Sequence, residues 1–260
     1  MKSTRLCKQS TLVSLATVLG ALAVFGAQEV REVFHQTYPL SKEGRLHLEN
    51  VNGNVHIVTW DREEIKVDAI KHAKKQEHLD EVKIEVDSQA DRIRIKTKYP
   101  DSKTKRNKTN STRVDYTLTV PKQSRLDGVS TVNGGVEIEK VSGNVEASSI
   151  NGNVTASELA GDVALFTVNG SVKATFAELK KSVALKSVNG SVTIALPPEA
   201  NANISANTIH GGIRSDFALK AKKHFPMRQN LDGKLGEGGP VIKMSSVNGG
   251  IRLVAASPRC

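Results

Sequence analysis

Aromatic residues make up only 4% of this 260-residue chain, and Cys7 and Cys260 are its whole thiol complement. With so few large rings, a thick core has little to be built from. Scarce rings also argue against nucleic acid as a partner, because the basic stretch over residues 92–125 offers only Tyr99 and Tyr116 for stacking on bases. Cys7 precedes an apolar run near the N-terminus, so it is not the lipid-modified cysteine of a lipoprotein and leaves with that segment. A lone Cys260 then has no internal partner. It stays a free tail thiol or pairs between chains, and no cysteine-based metal site is available.

Catalytic signatures are absent too. HExxH, GxSxG and phosphate-loop patterns do not occur. His47 and His56 flank an Asn52-Gly53 turn without an evident third ligand, and Glu137 with Glu139 reads as a solvated strand face. A calcium-binding β-roll needs an acid after its repeat glycines. Here only Asp162 stands there, the other places being Gly135, Asn144, Asn153, Ser171 and Ser191. The expectation is a chain with no catalytic, cofactor or metal residues.

What is present is a repeat. Between residues 132 and 194 the phrases VNGGVEI, VSGNVEA, INGNVTA, LAGDVAL, VNGSVKA, LKKSVAL and VNGSVTI follow one another. Their starts at Val132, Val141, Ile150, Leu159, Val168, Leu179 and Val188 lie nine residues apart, with one step of eleven. A fixed short period marks a stacked solenoid. Apolar residues at positions five and seven of each phrase share one strand face. The Asn-Gly pair suits a turn because both residues tolerate positive φ, and the apolar first position is expected to drop inside before the corner. At the Leu179-Lys180-Lys181 corner, where the glycine is missing, a bulge is expected.

Alternate phrases resemble each other more than neighbours do. Asn133, Asn151, Asn169 and Asn189 recur in every second phrase, each followed by Gly134, Gly152, Gly170 or Gly190, while Ser142, Ala160 and Lys180 stand between. Two phrases therefore make one coil of about 18 residues and two strands. Parallel coils about 4.8 Å apart would stack the four Asn side chains into a ladder. The outward sixth positions read Glu137, Thr155, Lys173 and Thr193 on one wall and Glu146, Ala164 and Ala184 on the other. Neither wall then carries the facing carboxylates of a polysaccharide-cleaving groove.

The flanks fit this frame. Lys2, Arg5 and Lys8 before an apolar run predict a secretory signal peptide over residues 1–27, so the mature protein is expected in the periplasm, in the cell envelope or outside the cell. Residues 28–125 read as a β-rich cap continuous with the solenoid, with strands over 64–70, 82–87, 92–98 and 114–121 and a short helix over 74–81. The solenoid is expected over 126–255, with an irregular insertion at 216–240, a final closing strand at 250–254 and a disordered tail at 256–260. The class is all-β.

Charge is concentrated outside the repeat. Residues 92–125 carry eleven basic side chains against Asp101 and Asp115. Arg92, Arg94, Lys96 and Lys98 alternate on one strand face and are followed by Lys103, Lys105, Arg106 and Lys108. Together these eight form the candidate patch for an anionic envelope polymer or membrane surface. The plain alternative is a solvated or edge-guarding strand.

LENVNGNV at residues 48–55, TLTVP at 117–121, the SVNGSV units and GEGGPVIKMSSVNGGIRLV at 236–254 together resemble the bacterial β-strand-repeat "putative adhesin" family, a domain of unknown function. The resemblance implies the fold and no catalytic residues. The expected function is an exported, non-catalytic, structural or adhesin-like module touching an envelope polymer, a membrane surface or another envelope protein. The alternative is a carbohydrate-active enzyme on the same scaffold.

Overall fold

The computed structural model describes residues 29–100, 111–176, 178–219, 221–224 and 228–256, without the side chains of Lys223 and His224. The expected signal peptide, both cysteines and the basic segment with Lys103, Lys105, Arg106 and Lys108 lie outside the described residues. Strands dominate. The chain opens with β1 (Val30–Pro39), β2 (Arg45–Glu49), β3 (Val55–Trp60) and β4 (Glu64–Ala73), followed by helix α1 (Gln76–Glu81). It continues through β5 (Lys83–Gln89), β6 (Arg92–Lys98), β7 (Arg113–Pro121), β8 (Arg125–Asn133) and β9 (Val136–Glu139). The regular repeats give β10 (Val145–Asn151), β11 (Val154–Ser157), β12 (Val163–Asn169), β13 (Val172–Thr175), β14 (Val183–Asn189) and β15 (Val192–Leu196). Last come β16 (Ala202–His210), β17 (Ile213–Ser215), β18 (Lys222–His224), β19 (Arg228–Leu235), β20 (Val241–Asn248) and β21 (Ile251–Ala255).

Two walls face each other across a thin core. One has the order β1-β4-β7-β3-β9-β11-β13-β15-β21-β17, the other β18-β19-β16-β20-β14-β12-β10-β8-β2-β6-β5. The coil strands pair in parallel, with Val145 beside Val163 and Val163 beside Val183 on one wall and Val154 beside Val172 on the other. Burial alternates along each strand, so Val163 and Leu165 or Val172 and Ala174 point inward and are buried. Each fully buried aliphatic side chain stabilises the stack by about 1.5 to 3 kcal/mol before entropy is subtracted. The eleven-residue step is absorbed at the corner between β13 and β14, and the parallel register resumes without a shift.

Spatial order departs from chain order at both ends. The coil β2/β3 lies inside the stack, between β8/β9 and β6/β7, and the antiparallel strands β4, β1 and β5 cover the outer edges. Helix α1 buries Leu79. At the far end β20/β21 does not close the stack, as the sequence led us to expect. It lies between β14/β15 and β16/β17, because its VNGG corner continues the Asn ladder onto Asn189, whereas the coil beyond it has His210 in that register. The stretch expected to be irregular supplies β19, which runs antiparallel along β16, and β18, which pairs antiparallel with β19 at the sheet edge.

The corners correct two expectations. In the intervening phrases Val141 and Leu159 turn inside as expected, but in the Asn-type phrases the first-position residues do not: Ile150 is 45% exposed and Val132, Val168 and Val188 are only half-buried. The residue before each of them is buried instead, namely Thr131, Ser149, Thr167 and Ser187. Strand alternation gives the reason, since inward positions 145, 147 and 149 share one face. Nor do the ladder asparagines adopt positive φ; among the described residues the non-glycine ones that do are Lys140 and Glu158, at the opposite corner.

Glycine is required at the Asn corner mainly by close approach. A Cβ on Gly152 would stand 1.9 Å from the carbonyl oxygen of Gly134, and one on Gly134 would stand 2.0 Å from that of Gly53. Gly152→Ala is therefore expected to destabilise the protein by about 2 to 4 kcal/mol through forced coil separation. Gly212, with open space around it, is expected to tolerate alanine within about 0.5 kcal/mol. Urea unfolding of the two variants measures the difference; equal midpoints would sink the close-approach explanation.

Candidate functional site

The Asn corner is the most ordered polar feature. Asn151 Nδ2 donates to Asn133 Oδ1 at 2.9 Å, Asn169 to Asn151 at 2.8 Å, and Asn189 to Asn169 at 2.8 Å. The ladder is longer than the four expected members, since Asn133 donates to Asn52 and Asn248 to Asn189, each at 2.8 Å. Behind it runs a buried hydroxyl ladder. Thr131 donates to the Gly53 carbonyl, Ser149 to Gly134, Thr167 to Gly152, Ser187 to Gly170, Ser246 to Gly190 and Thr208 to Gly249, at 2.7 to 3.1 Å. Both ladders consume their own polar groups, so this corner is structural.

The basic strand is less free than its sequence indicates. Arg92, Arg94, Lys96 and Lys98 do share the outer face of β6, but each meets a carboxylate. Arg94 Nη2 and Lys96 Nζ both lie 2.6 Å from Glu49, Lys98 lies 2.7 Å from Glu85, and Arg92 lies 3.8 Å from Asp87. Glu49 is the hub that sequence reasoning missed. Its carboxyl is held down to about 2 by hydrogen bonds from Lys96, Arg94 and His47. Positive-φ Gly128 puts an extra residue into β8 against its neighbours, and His47 Nδ1 lies there 2.7 Å from the Asp127 carbonyl. The alternation in Leu46-His47-Leu48-Glu49 was the available signal, but the β2/β6 pairing crosses 47 residues.

Further along the same wall the surface hollows. Two contiguous depressions of about 610 and 680 Å³ share Glu146, Ala164, Ala184 and Lys243. Their floor is the exposed methyl row of Ala164 and Ala184, with Glu146 at one side and Lys243 at the other in direct strand register. Phe166 stands along the trough with the Lys186 ammonium 5.9 Å from its ring centre. A carboxylate pair is here after all: β8 places Asp127 beside Glu146. Asp127 precedes the first regular phrase, so the repeat pattern does not reveal it. Both acids are exposed, so no burial difference separates a proton donor from an acceptor.

The opposite wall separates the two histidines that flank the Asn52-Gly53 turn. His47 belongs to the β2 wall, while His56 on β3 faces Glu137 on β9, with Nδ1 3.3 Å from Oε2. Glu139 lies next along that face, and one ligand atom from each of His56, Glu137 and Glu139 falls within 4.8 Å of the others. No helix among the described residues is long and apolar enough to cross a membrane.

Comparison with known proteins agrees with this architecture. The family model described as Toastrack DUF4097 matches residues 149–254. A crystal structure of a putative cell adhesion protein from Clostridium sporogenes superposes with a TM-score of 0.52 at 12% identity, covering 88% of this chain and all of that one. That likeness is one of fold. A putative adhesin from Bacteroides fragilis (13% identity, 86% of this chain and 97% of that one) and a putative lipid binding protein from Parabacteroides distasonis (13%, 85% and 96%) superpose with TM-scores of only 0.28. No curated protein matches the sequence.

Two measurements test this account of the corner and the hub. Thr167→Val removes a buried donor and is expected to cost about 1 to 3 kcal/mol, more than Asn169→Ala on the exposed ladder, at about 1 kcal/mol or less; urea midpoints read the order. Glu49 titrates lower in the folded chain than its ordinary 4.5. Its contribution is thus fully present above about pH 4.5 and lost as pH falls toward about 2. Acid unfolding of Glu49→Gln should show a shallower loss across that window, and an unchanged acid limb would rule the hub out.

Proposed function

We propose, for a chain whose residues 149–254 match the Toastrack DUF4097 family model, that it works as an exported, non-catalytic, adhesin-like β-solenoid module of the bacterial cell envelope. The observation that carries this reading is the trough over Ala164 and Ala184. A shallow floor of methyl groups with a ring at one side, acids along one rim and Lys243 at the other suits an extended chain laid across successive coils. Repetition along the stack multiplies weak contacts into useful avidity. The putative cell adhesion description of the Clostridium sporogenes protein agrees with an adhesive role. Export rests on the basic and apolar leader over residues 1–27; within 28–125, β1, β4 and β5 act as the cap, while β2/β3 and β6/β7 extend the solenoid of 126–255.

An anionic polymer is the ligand class favoured by the charge of residues 92–125. On β6 it has to compete with Glu49, Glu85 and Asp87 for the four cations. A ligand in the trough faces no such competition, and its contacts there depend little on salt.

The second reading, a carbohydrate-active enzyme, draws on one observation: Asp127 stands beside Glu146 at the trough's edge. Exposure of both acids weighs against it.

The deciding experiment is a pull-down of the purified protein on one neutral and one anionic envelope polymer at low and high salt. The trough variant is Ala164→Asp with Ala184→Asp; the stripe variant changes Arg92, Arg94, Lys96 and Lys98 to Gln. The trough variant is expected to lose binding about tenfold or more at both salts, and the stripe variant only the salt-sensitive part. Retained binding by the trough variant defeats the trough as ligand site, and retained anionic binding by the stripe variant defeats the stripe. Release of reducing ends that disappears in Glu146→Gln would make the protein a hydrolase instead.

A further inference from the structure

The ten-stranded wall carries a group that the adhesive reading does not use. Its strands bring three potential ligands together from distant parts of the chain. β3 and β9 pair in parallel with His56 opposite Glu137, and β9 alternation returns Glu139 to the same face two residues on. The three supporting strand residues are therefore fixed by the coil register rather than by a loop, which is the favourable way to hold a ligand set.

Electrostatics at this group is unbalanced. Two carboxylates share one face with a single imidazole, which supplies at most one positive charge. Glu137 pairs with His56 alone, and the Glu139 carboxylate makes neither an ion pair nor a hydrogen bond among the described residues. Carboxylates around the β6 hub, by contrast, all meet Arg or Lys. The nearest cation in register, Lys173, stands beyond Thr155 on the second strand over. A divalent cation would relieve the repulsion between the two acids and take up the imidazole lone pair at once.

We propose that His56, Glu137 and Glu139 form a surface binding site for a zinc-class divalent cation, with one coordination position left to solvent or to a group on a partner. The donor set selects the metal class. One imidazole nitrogen and two carboxylate oxygens suit zinc and its first-row neighbours, whereas calcium asks for six to eight oxygens. Around a tetrahedral ion at roughly 2.1 Å the ligand atoms stand about 3.4 Å apart. The present spread of up to 4.8 Å closes by rotation of the two glutamate side chains on the outward face, Glu137 exposed and Glu139 half-buried. Thr117, Thr155 and Ser157 flank the three ligands on β7 and β11, where hydroxyls can hold ligand orientation from the second layer. An open position on a flat wall suits metal-mediated contact with another surface. This inference does not depend on the trough lying on the other wall.

Isothermal titration of tag-free purified protein with zinc chloride tests it, with cobalt(II) absorption as a second readout of the nitrogen and oxygen donor set. One zinc per chain is expected, with calcium giving no comparable heat. His56→Ala and Glu139→Gln should each weaken zinc binding by about tenfold or more, while His35→Ala on the same wall leaves it unchanged. Both ligand variants alter outward side chains, and circular dichroism verifies that they keep the parent fold. Absence of zinc binding by the parent protein, or parent-like binding by either ligand variant, overturns the site.

Discussion

Parallel, in-register stacking of one coil on the next is the constraint on which the rest of the structure depends. Every coil must present the same backbone outline to its neighbour, so each corner can move only if all do. At the Asn corner the strand-to-strand turn is so close that a single added Cβ would stand about 2 Å from the carbonyl oxygen of the coil beside it. Glycine there is a spacing requirement. Once it is met, the buried hydroxyl before the turn reaches that carbonyl, and the exposed amide reaches its counterpart one coil away. The recurring Thr/Ser-Val-Asn-Gly phrase is thus one packing unit: an inward donor, an outward apolar residue, a ladder amide and a residue without a side chain.

The same constraint explains where function can lie. Inward residues are committed to a thin, largely aliphatic core, and the Asn corner spends its polar groups on itself. Outward strand positions are free to vary without disturbing the stack, and there the chain places its differences: Glu49 among cations, Ala164 and Ala184 as a trough floor, His56 with two glutamates. A rigid scaffold with variable outward rows suits recognition of extended partners better than chemistry, because the two acids beside its trough, Asp127 and Glu146, are both exposed.

Much of this was legible in the residues, and the exceptions share a cause. The phrase from Val132 to Ile194 gave strand positions, coil length and the four-membered Asn ladder, since these depend on spacing alone. Ladder members Asn52 and Asn248, the carboxylate neighbour Asp127 and the hub Glu49 were not found. Each has a spatial neighbour that is remote in sequence or lies outside the regular phrase. At Val132 and Ile150 strand alternation overrides hydrophobicity. At this corner the inward site is claimed by a hydroxyl that a stacked carbonyl needs.

By itself the sequence determined the all-β class, the two-strand coil and the thin Val, Ile and Ala core, because period and alternation are local properties of a chain. Only the tertiary structure decided the order of the coils at both ends. There β2/β3 and β20/β21 are drawn inside by the register of their Asn corners, and β6/β7 and β16/β17 are left outside. It also decided which charges meet. Four cations that alternate on one strand become a network around Glu49, Glu85 and Asp87, and a histidine from one turn faces two acids from another. Pairing between distant strands, which no local pattern encodes, is the physical reason for both.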